Sequence, residues 1–176
     1  MNVTYRKAVP ADSLELAELA QLLDDEDAEF LPDGIDQTGG VQGQSKYSAE
    51  LMHQWLFADG HLGTAIVAER RGIQEERLLG YLLFVRTINT CLAGDALMIA
   101  DLYVRPEGRS SGVGRRLMAA VCREAMAIGA VSVVWGVRAS NARAQRFYRG
   151  LGAIDEGAQI LELYREIMIA LAKEAE

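Results

Sequence analysis

Apolar residues at Leu14, Leu16, Leu19, Leu22 and Leu23 form a broad helical stripe opened by Pro10-Ala11-Asp12, which predicts a helix to about Leu23. Ahead of it, Val3-Thr4-Tyr5-Arg6 alternates like a short strand. The acidic run Asp24–Glu29 and the Gly/Gln-rich stretch Asp33–Ser45 break the period and predict a long mobile connection. Helical spacing returns from Ser48 to Phe57 and stops at Asp59-Gly60. Thr64–Glu69 and Leu78–Val85 are β-rich runs joined by the charged segment Arg70–Arg77, the pattern of an antiparallel hairpin. Ala96–Val104 is a third, longer strand. Helical spacing from Gly112 to Gly129 runs through Val113, Leu117, Ala120, Val121, Ala125 and Ile128. Val131–Val137 is almost unbroken in its apolar character and predicts a strand covered on both faces. A helix over about Asn141–Gly150, a last strand at Ile160–Tyr164 and a terminal helix over Glu166–Glu174 complete the expected order.

A chain of 176 residues, half of them apolar, can form one sizeable core, so a single domain over 1–176 is expected. Cys91 and Cys122 lack a CxxC spacing or a His neighbour; they suggest neither zinc nor a disulfide framework, and read as small core or semi-core residues in a reducing compartment. No apolar run approaches the roughly 18 residues that span a bilayer, and residues 1–10 lack the apolar stretch of a secretory signal, so the expectation is a cytoplasmic protein without a membrane partner. A formal charge of −7 repels nucleic acid and favours cationic small molecules.

The order strand, short loop (Arg105–Ser111), helix places Arg109-Ser110-Ser111-Gly112-Val113-Gly114 at a helix N-terminus. The first turn of a helix carries N–H groups without intrahelical partners and the positive end of the dipole, so it can offer several donors to one phosphate. Glycines at 112 and 114 would let a pyrophosphate approach the backbone, Ser110 and Ser111 add hydroxyls, and Arg109 and Arg115 add charge. The alternative is a plain tight turn. Neither a P-loop nor a dinucleotide fingerprint fits well: Arg115-Arg116 stand where the first requires Lys-Ser/Thr, and Leu117 takes the place of the third small residue of the second.

These residues resemble the GNAT acyltransferase superfamily, whose pyrophosphate loop has the form Arg/Gln-x-x-Gly-x-Gly/Ala. Asp101-Leu102-Tyr103-Val104-Arg105-Pro106 resembles the family's central strand, and Asn141-Ala142-Arg143-Ala144 with Phe147-Tyr148 and Leu151-Gly152-Ala153 resembles its "N-x-x-A-x-x-F-Y-x-x-x-G-A" helix. The resemblance covers about 96–153 best and thins toward the N-terminus. It implies an α+β fold: a twisted mixed, mostly antiparallel sheet flanked by helices in α/β/α layers, with the cofactor in the gap between the Ala96–Val104 and Val131–Val137 strands.

It further implies acetyl-coenzyme A as acyl donor, a primary amine of a small molecule or peptide as acceptor, direct attack without a metal, and it allows a homodimer. The backbone groups of Leu102, Tyr103 and Val104 would hold the pantetheine arm and the acetyl carbonyl, aimed at the oxygen that gains charge. Asn141 and Ala144 would approach the cofactor, although Asn141 is equally a good N-cap. Tyr148 matches the tyrosine that protonates the departing thiolate; it also shares an apolar helix face with Ala144, Phe147 and Leu151. Diamine acetyltransferases, a related branch, carry a glutamate where this chain has Ala100, so diamine specificity does not carry over; the base is Asp101 acting through water, which is equally readable as a buried structural carboxylate, or an acid of Asp24–Glu29, a run equally readable as a solvated surface. His53 and His61 read as surface or packing residues. A non-catalytic acyl-coenzyme A-binding module would keep Arg109–Gly114 without needing Tyr148.

Overall fold

The period-two runs pair into one sheet in sequence order: β1 (Val3–Lys7), β2 (Thr64–Arg70), β3 (Arg77–Asn89) and β4 (Gly94–Val104) are successively antiparallel, and β5 (Ser132–Trp135) joins β4 in parallel. The computed structural model describes residues 2–30, 46–72, 77–158, 161, 163 and 165–175. They fall into two compact units, Met1–Asn141 and Ala142–Glu176. The sheet belongs to the first, together with α1 (Ser13–Asp27), α2 (Ala49–Leu56) and α3 (Val113–Ala127). The second holds α4 (Ala142–Arg149) and α5 (Arg165–Ala172).

Alternation assigns the two faces of the sheet. Ala65, Val67, Tyr81, Leu83 and Tyr103 pack against Leu16, Leu19 and Ala20 of α1 and Met52 and Leu56 of α2. On the other face α3 lies across β2, β3 and β4 with Val113, Leu117 and Val121 buried. Helices on both faces give the expected α/β/α layers, and burial of these side chains is the main stabilising term of the unit. Ser48 caps α2 by accepting the Leu51 N–H at 3.2 Å, which fixes where helical spacing resumes.

The structure differs from expectation in three places, and two expected segments lie outside the described residues. α1 continues through the acidic run to Asp27 and is followed by a short 3-10 turn, Ala28–Phe30. Carboxylates at a helix C-terminus oppose the dipole, but Lys46 and Arg109 pair with Asp24 and Glu26, which offsets that cost. The stretch Asp33–Ser45 and most of Ile160–Tyr164 lie outside the described residues. β5 has four residues, and Val131, Val134 and Val137 are exposed: an apolar run does not secure two covering layers. Cys91, in the β3–β4 turn, and Cys122, on the outer side of α3, are both exposed rather than core residues.

Two irregularities shape the end of β4. Phe84 pairs with Ile99 and Leu83 with Asp101, so Ala100 is the extra residue of a β-bulge. At Gly80 a Cβ would collide with the Tyr103 carbonyl oxygen and crowd Val104, so only glycine lets β3 lie this close to the last residues of β4.

An ion cluster ties β1 to the start of α1. Arg6 donates to Asp12 at 2.7 and 3.0 Å and to Glu69 at 3.0 and 3.2 Å, and both carboxylates are largely buried. The Arg6 bond, ahead of its other contacts, holds the Glu69 carboxyl below the usual range. A depressed folded value stabilises the fold above the unfolded carboxyl value near 4.3 and loses that contribution as pH falls through the folded value. Glu69→Gln is therefore expected to cost about 2 kcal/mol in urea denaturation at pH 7. At pH 3 the gap to wild type narrows; an equal gap at both pH values would refute the linkage.

Candidate functional site

β4 and β5 are in register only from Ala96–Ser132 to Ile99–Trp135. β5 then ends, and among the described residues Asp101 to Val104 pair on one side alone, with β3. The outer backbone groups of Leu102, Tyr103 and Val104 thus lack a strand partner among the described residues, beginning at the Ala100 bulge. Leu102 and Val104 are half-buried, and Tyr103 sends its ring into the core.

β4 runs into a loop whose conformation is special at two residues. After the 3-10 turn Pro106–Gly108, Ser110 and Gly112 both have positive φ, 59° and 86°. The Ser111 hydroxyl donates to the Gly108 carbonyl at 2.7 Å and braces the turn. Gly112 occupies the N-cap position of α3 and, having no side chain, gives that helix no cap of its own, unlike Ser48 of α2. Its first-turn N–H groups, from buried Val113 through Gly114, keep their dipole end open to an anion. Around Gly112 no protein atom would meet a Cβ, so the fold demands glycine there for φ rather than for space. Arg115 is exposed in the same turn.

Arg109 is turned away from that helix end. Its Nε donates to the Val104 carbonyl at 2.8 Å, its guanidinium pairs with Glu26, and it lies 5.5 Å over the Tyr103 ring. The Tyr103 hydroxyl donates to the same Glu26 oxygen at 3.3 Å. In this arrangement Arg109 clamps the loop to the end of α1, and its charge is already matched. Arg105, 6% exposed, does similar work further back, donating to the Leu78 carbonyl at 3.0 Å and facing Glu15 and Glu18. Sequence reasoning did not single out Arg105.

Asp101 stands beside the bulge on the face of α1. Its Oδ2 accepts the Tyr81 hydroxyl at 2.8 Å. Burial above all pushes the Asp101 carboxyl up; the Tyr81 bond opposes it, Asp27 and Asp24 add to it, and Lys46 reduces it. Burial likewise raises Asp27, which Arg138 partly counters. Tyr47 is pushed up to about 12 by burial and then by Asp101, Asp24 and Asp27, so it stays a neutral phenol. The acidic run therefore contributes side chains to the surroundings of Asp101, across residues distant in sequence. Among the described residues no three His, Cys, Asp or Glu side chains come together as metal ligands would. His53 and His61 are exposed and lie outside this group.

Asn141 immediately precedes α4 and is half-buried. In the second unit Ala144, Gln145, Phe147 and Tyr148 of α4 and Leu151 after it are partly buried, and the Phe147 and Tyr148 rings are 5.1 Å apart. Tyr81, Tyr47 and Lys46 are the neighbours of Asp101 that sequence reasoning missed. For Tyr81 a signal existed: it is the single hydroxyl in the apolar run Leu78–Val85, and a buried hydroxyl needs a partner.

Residues 19–153 match the model of the acetyltransferase (GNAT) family. The chain is 31% identical over 137 residues to thialysine N-epsilon-acetyltransferase of Bos taurus, covering 73% of this chain and 80% of that protein. It is 34% identical over 74 residues to an L-ornithine N5-acetyltransferase of Arabidopsis thaliana, a match spanning 42% of this chain and only 32% of the relative. Among solved structures, an aminoglycoside N-acetyltransferase in complex with CoA superposes with a TM-score of 0.69 at 16% identity, over 93% of this chain and 95% of that one, which speaks for a shared fold.

Proposed function

Because the chain belongs to the GNAT acetyltransferase family, we propose that it transfers the acetyl group of acetyl-coenzyme A to a primary amine of a small molecule or peptide by direct attack. The observation that carries this reading is the pairing, at the end of one strand, of an uncapped helix N-terminus with a buried carboxylate. The first turn of α3 follows the Gly112 turn, and Asp101 lies at the bulge of the same β4. These residues suit the donor. The α3 turn can take its pyrophosphate, and the outer edge of Leu102–Val104 can accept its pantetheine arm as an added strand. Acetyl-coenzyme A supplies the activated acyl group.

An alkyl amine is mostly protonated at neutral pH and must lose a proton before it attacks. Asp101 is the group for that proton: burial raises its basicity, and it stands where β4 has lost its β5 partner. The backbone N–H groups along the edge of β4 suit the oxygen that gains charge, a role that is commonly the largest contribution in acyl transfer. Tyr148 carries the proton destined for the thiolate, by its match to the family motif. The names of the relatives, which act on ornithine and thialysine, favour a small cationic acceptor. No helix among the described residues is long and apolar enough to cross a membrane.

Thiol release from acetyl-coenzyme A across a panel of diamines, amino acids, aminoglycosides and peptide N-termini tests the reading. Tight donor binding without turnover on any amine would instead favour a non-catalytic binding module. Gly112→Val should weaken donor binding about ten- to a hundredfold by calorimetry, since a β-branched side chain resists positive φ and so distorts the turn. Unaltered affinity would remove the pyrophosphate from this turn.

A further inference from the structure

Tyr81 is fully buried in the middle of β3, where phenylalanine would fill the same space without requiring a hydrogen-bond partner. Its hydroxyl donates to Asp101 Oδ2 at 2.8 Å. Tyr81 stands opposite Tyr103, so it reaches Asp101 along the diagonal of the β3–β4 pair, on the face shared with α1. The contact falls one residue after the bulge at Ala100 and two after the last β4–β5 pair. Oδ1 of Asp101 accepts no hydrogen bond among the described residues.

With Asp101 as the base of the proposed transfer, we propose that Tyr81 is a positioning residue for that reaction: its hydroxyl holds Oδ2 and leaves Oδ1 to take the proton of the incoming amine. The proton passes from the amine nitrogen to Oδ1, and Tyr81 keeps its own throughout. Two consequences follow from the chemistry. Holding one oxygen fixes the carboxylate in a single rotamer, which reduces the ordering needed at the moment of reaction. A donor on the carboxylate also favours its charged form, opposing the burial and the two acidic neighbours that disfavour it. The titratable and charged groups acting on Asp101 are Asp24 and Asp27 from α1, Lys46 and Tyr47 ahead of α2, and Tyr81 from β3. Among the described residues, Tyr81 is the one that touches it through a hydrogen bond.

The test is the pH profile of kcat/KM. Tyr81→Phe keeps the ring and removes the bond, so the acid limb is expected to move up by about one pH unit, while the alkaline plateau falls less than about fivefold. A folded Tyr81→Phe protein with an unmoved acid limb overturns the inference. A 3-fluorotyrosine placed at position 81 alone is a more acidic, stronger donor and is expected to move the limb down; no movement there overturns it as well. A merely structural hydroxyl would shift neither limb. Asp101→Asn separates the two readings. If that variant keeps the wild-type acid limb, the base is elsewhere and the assignment of Asp101 itself fails. If it abolishes the limb while both Tyr81 changes leave it in place, only the role of Tyr81 fails.

Discussion

Asp101→Asn is expected to lower kcat by about two to three orders of magnitude at pH 7, with the Kd for acetyl-coenzyme A changed less than about threefold. Asparagine is nearly isosteric and can still accept the Tyr81 hydroxyl, but it cannot take the proton of an ammonium. The wild-type carboxyl lies above its usual range, chiefly through burial. A base must be ionised to act, so wild-type activity falls as pH drops through that raised value, and the Asn variant lacks this limb. The stability consequence has the opposite sign. A carboxyl raised on folding weakens the fold once pH exceeds its unfolded value, because the ionised form is the one disfavoured inside. At pH 7 the Asn variant is therefore expected to melt at the same or a higher temperature than wild type, the pattern of a group kept for chemistry at some cost in stability. Pre-steady-state acetyl transfer and calorimetric melting together check it. A fully active Asn variant would end the case for Asp101 as base, and a strongly destabilised one would mark it as structural.

Tyr148→Phe is expected to lower kcat about a hundredfold while donor affinity stays within about threefold. A phenol near 10 can protonate a thiolate near 8.5 as the C–S bond breaks, and phenylalanine cannot. The control is a donor whose thiol is more acidic than that of coenzyme A: it leaves without a proton, so the deficit of the variant should shrink. If both donors lose activity equally, Tyr148 acts by packing. Its helix face, shared with Ala144, Phe147 and Leu151, supplies that alternative.

The two acid–base candidates were visible in the sequence for different reasons. Tyr148 was named through the helix motif of the family, while Asp101 was named through the match to its central strand and the absence, at Ala100, of the glutamate of the diamine branch. Neither route showed what surrounds Asp101. Tyr81 lies 20 residues away in the chain, and the Glu26–Arg109 clamp joins positions 83 apart. Such pairs depend on sheet register. A bulge of one residue at Ala100 changes which side chains share a face, and a period-two pattern contains no mark of it.

The sequence by itself determined the order of strands and helices as far as the helix after Asn141, the turn at Gly112 and the family, because each rests on local signals: periodicity, a cap, a glycine, a motif of fixed spacing. It misjudged the Val131–Val137 run and the acidic end of α1, since apolarity does not tell how many layers cover a strand, and charge does not tell whether a distant arginine or lysine balances it. Only the tertiary structure decided that Arg109 braces the loop against Glu26, that the acids of α1 sit around Asp101, and that Tyr81 holds its carboxylate. Those are contacts between segments far apart in the chain, selected by the register of β3 on β4 and the packing of α1 on the sheet.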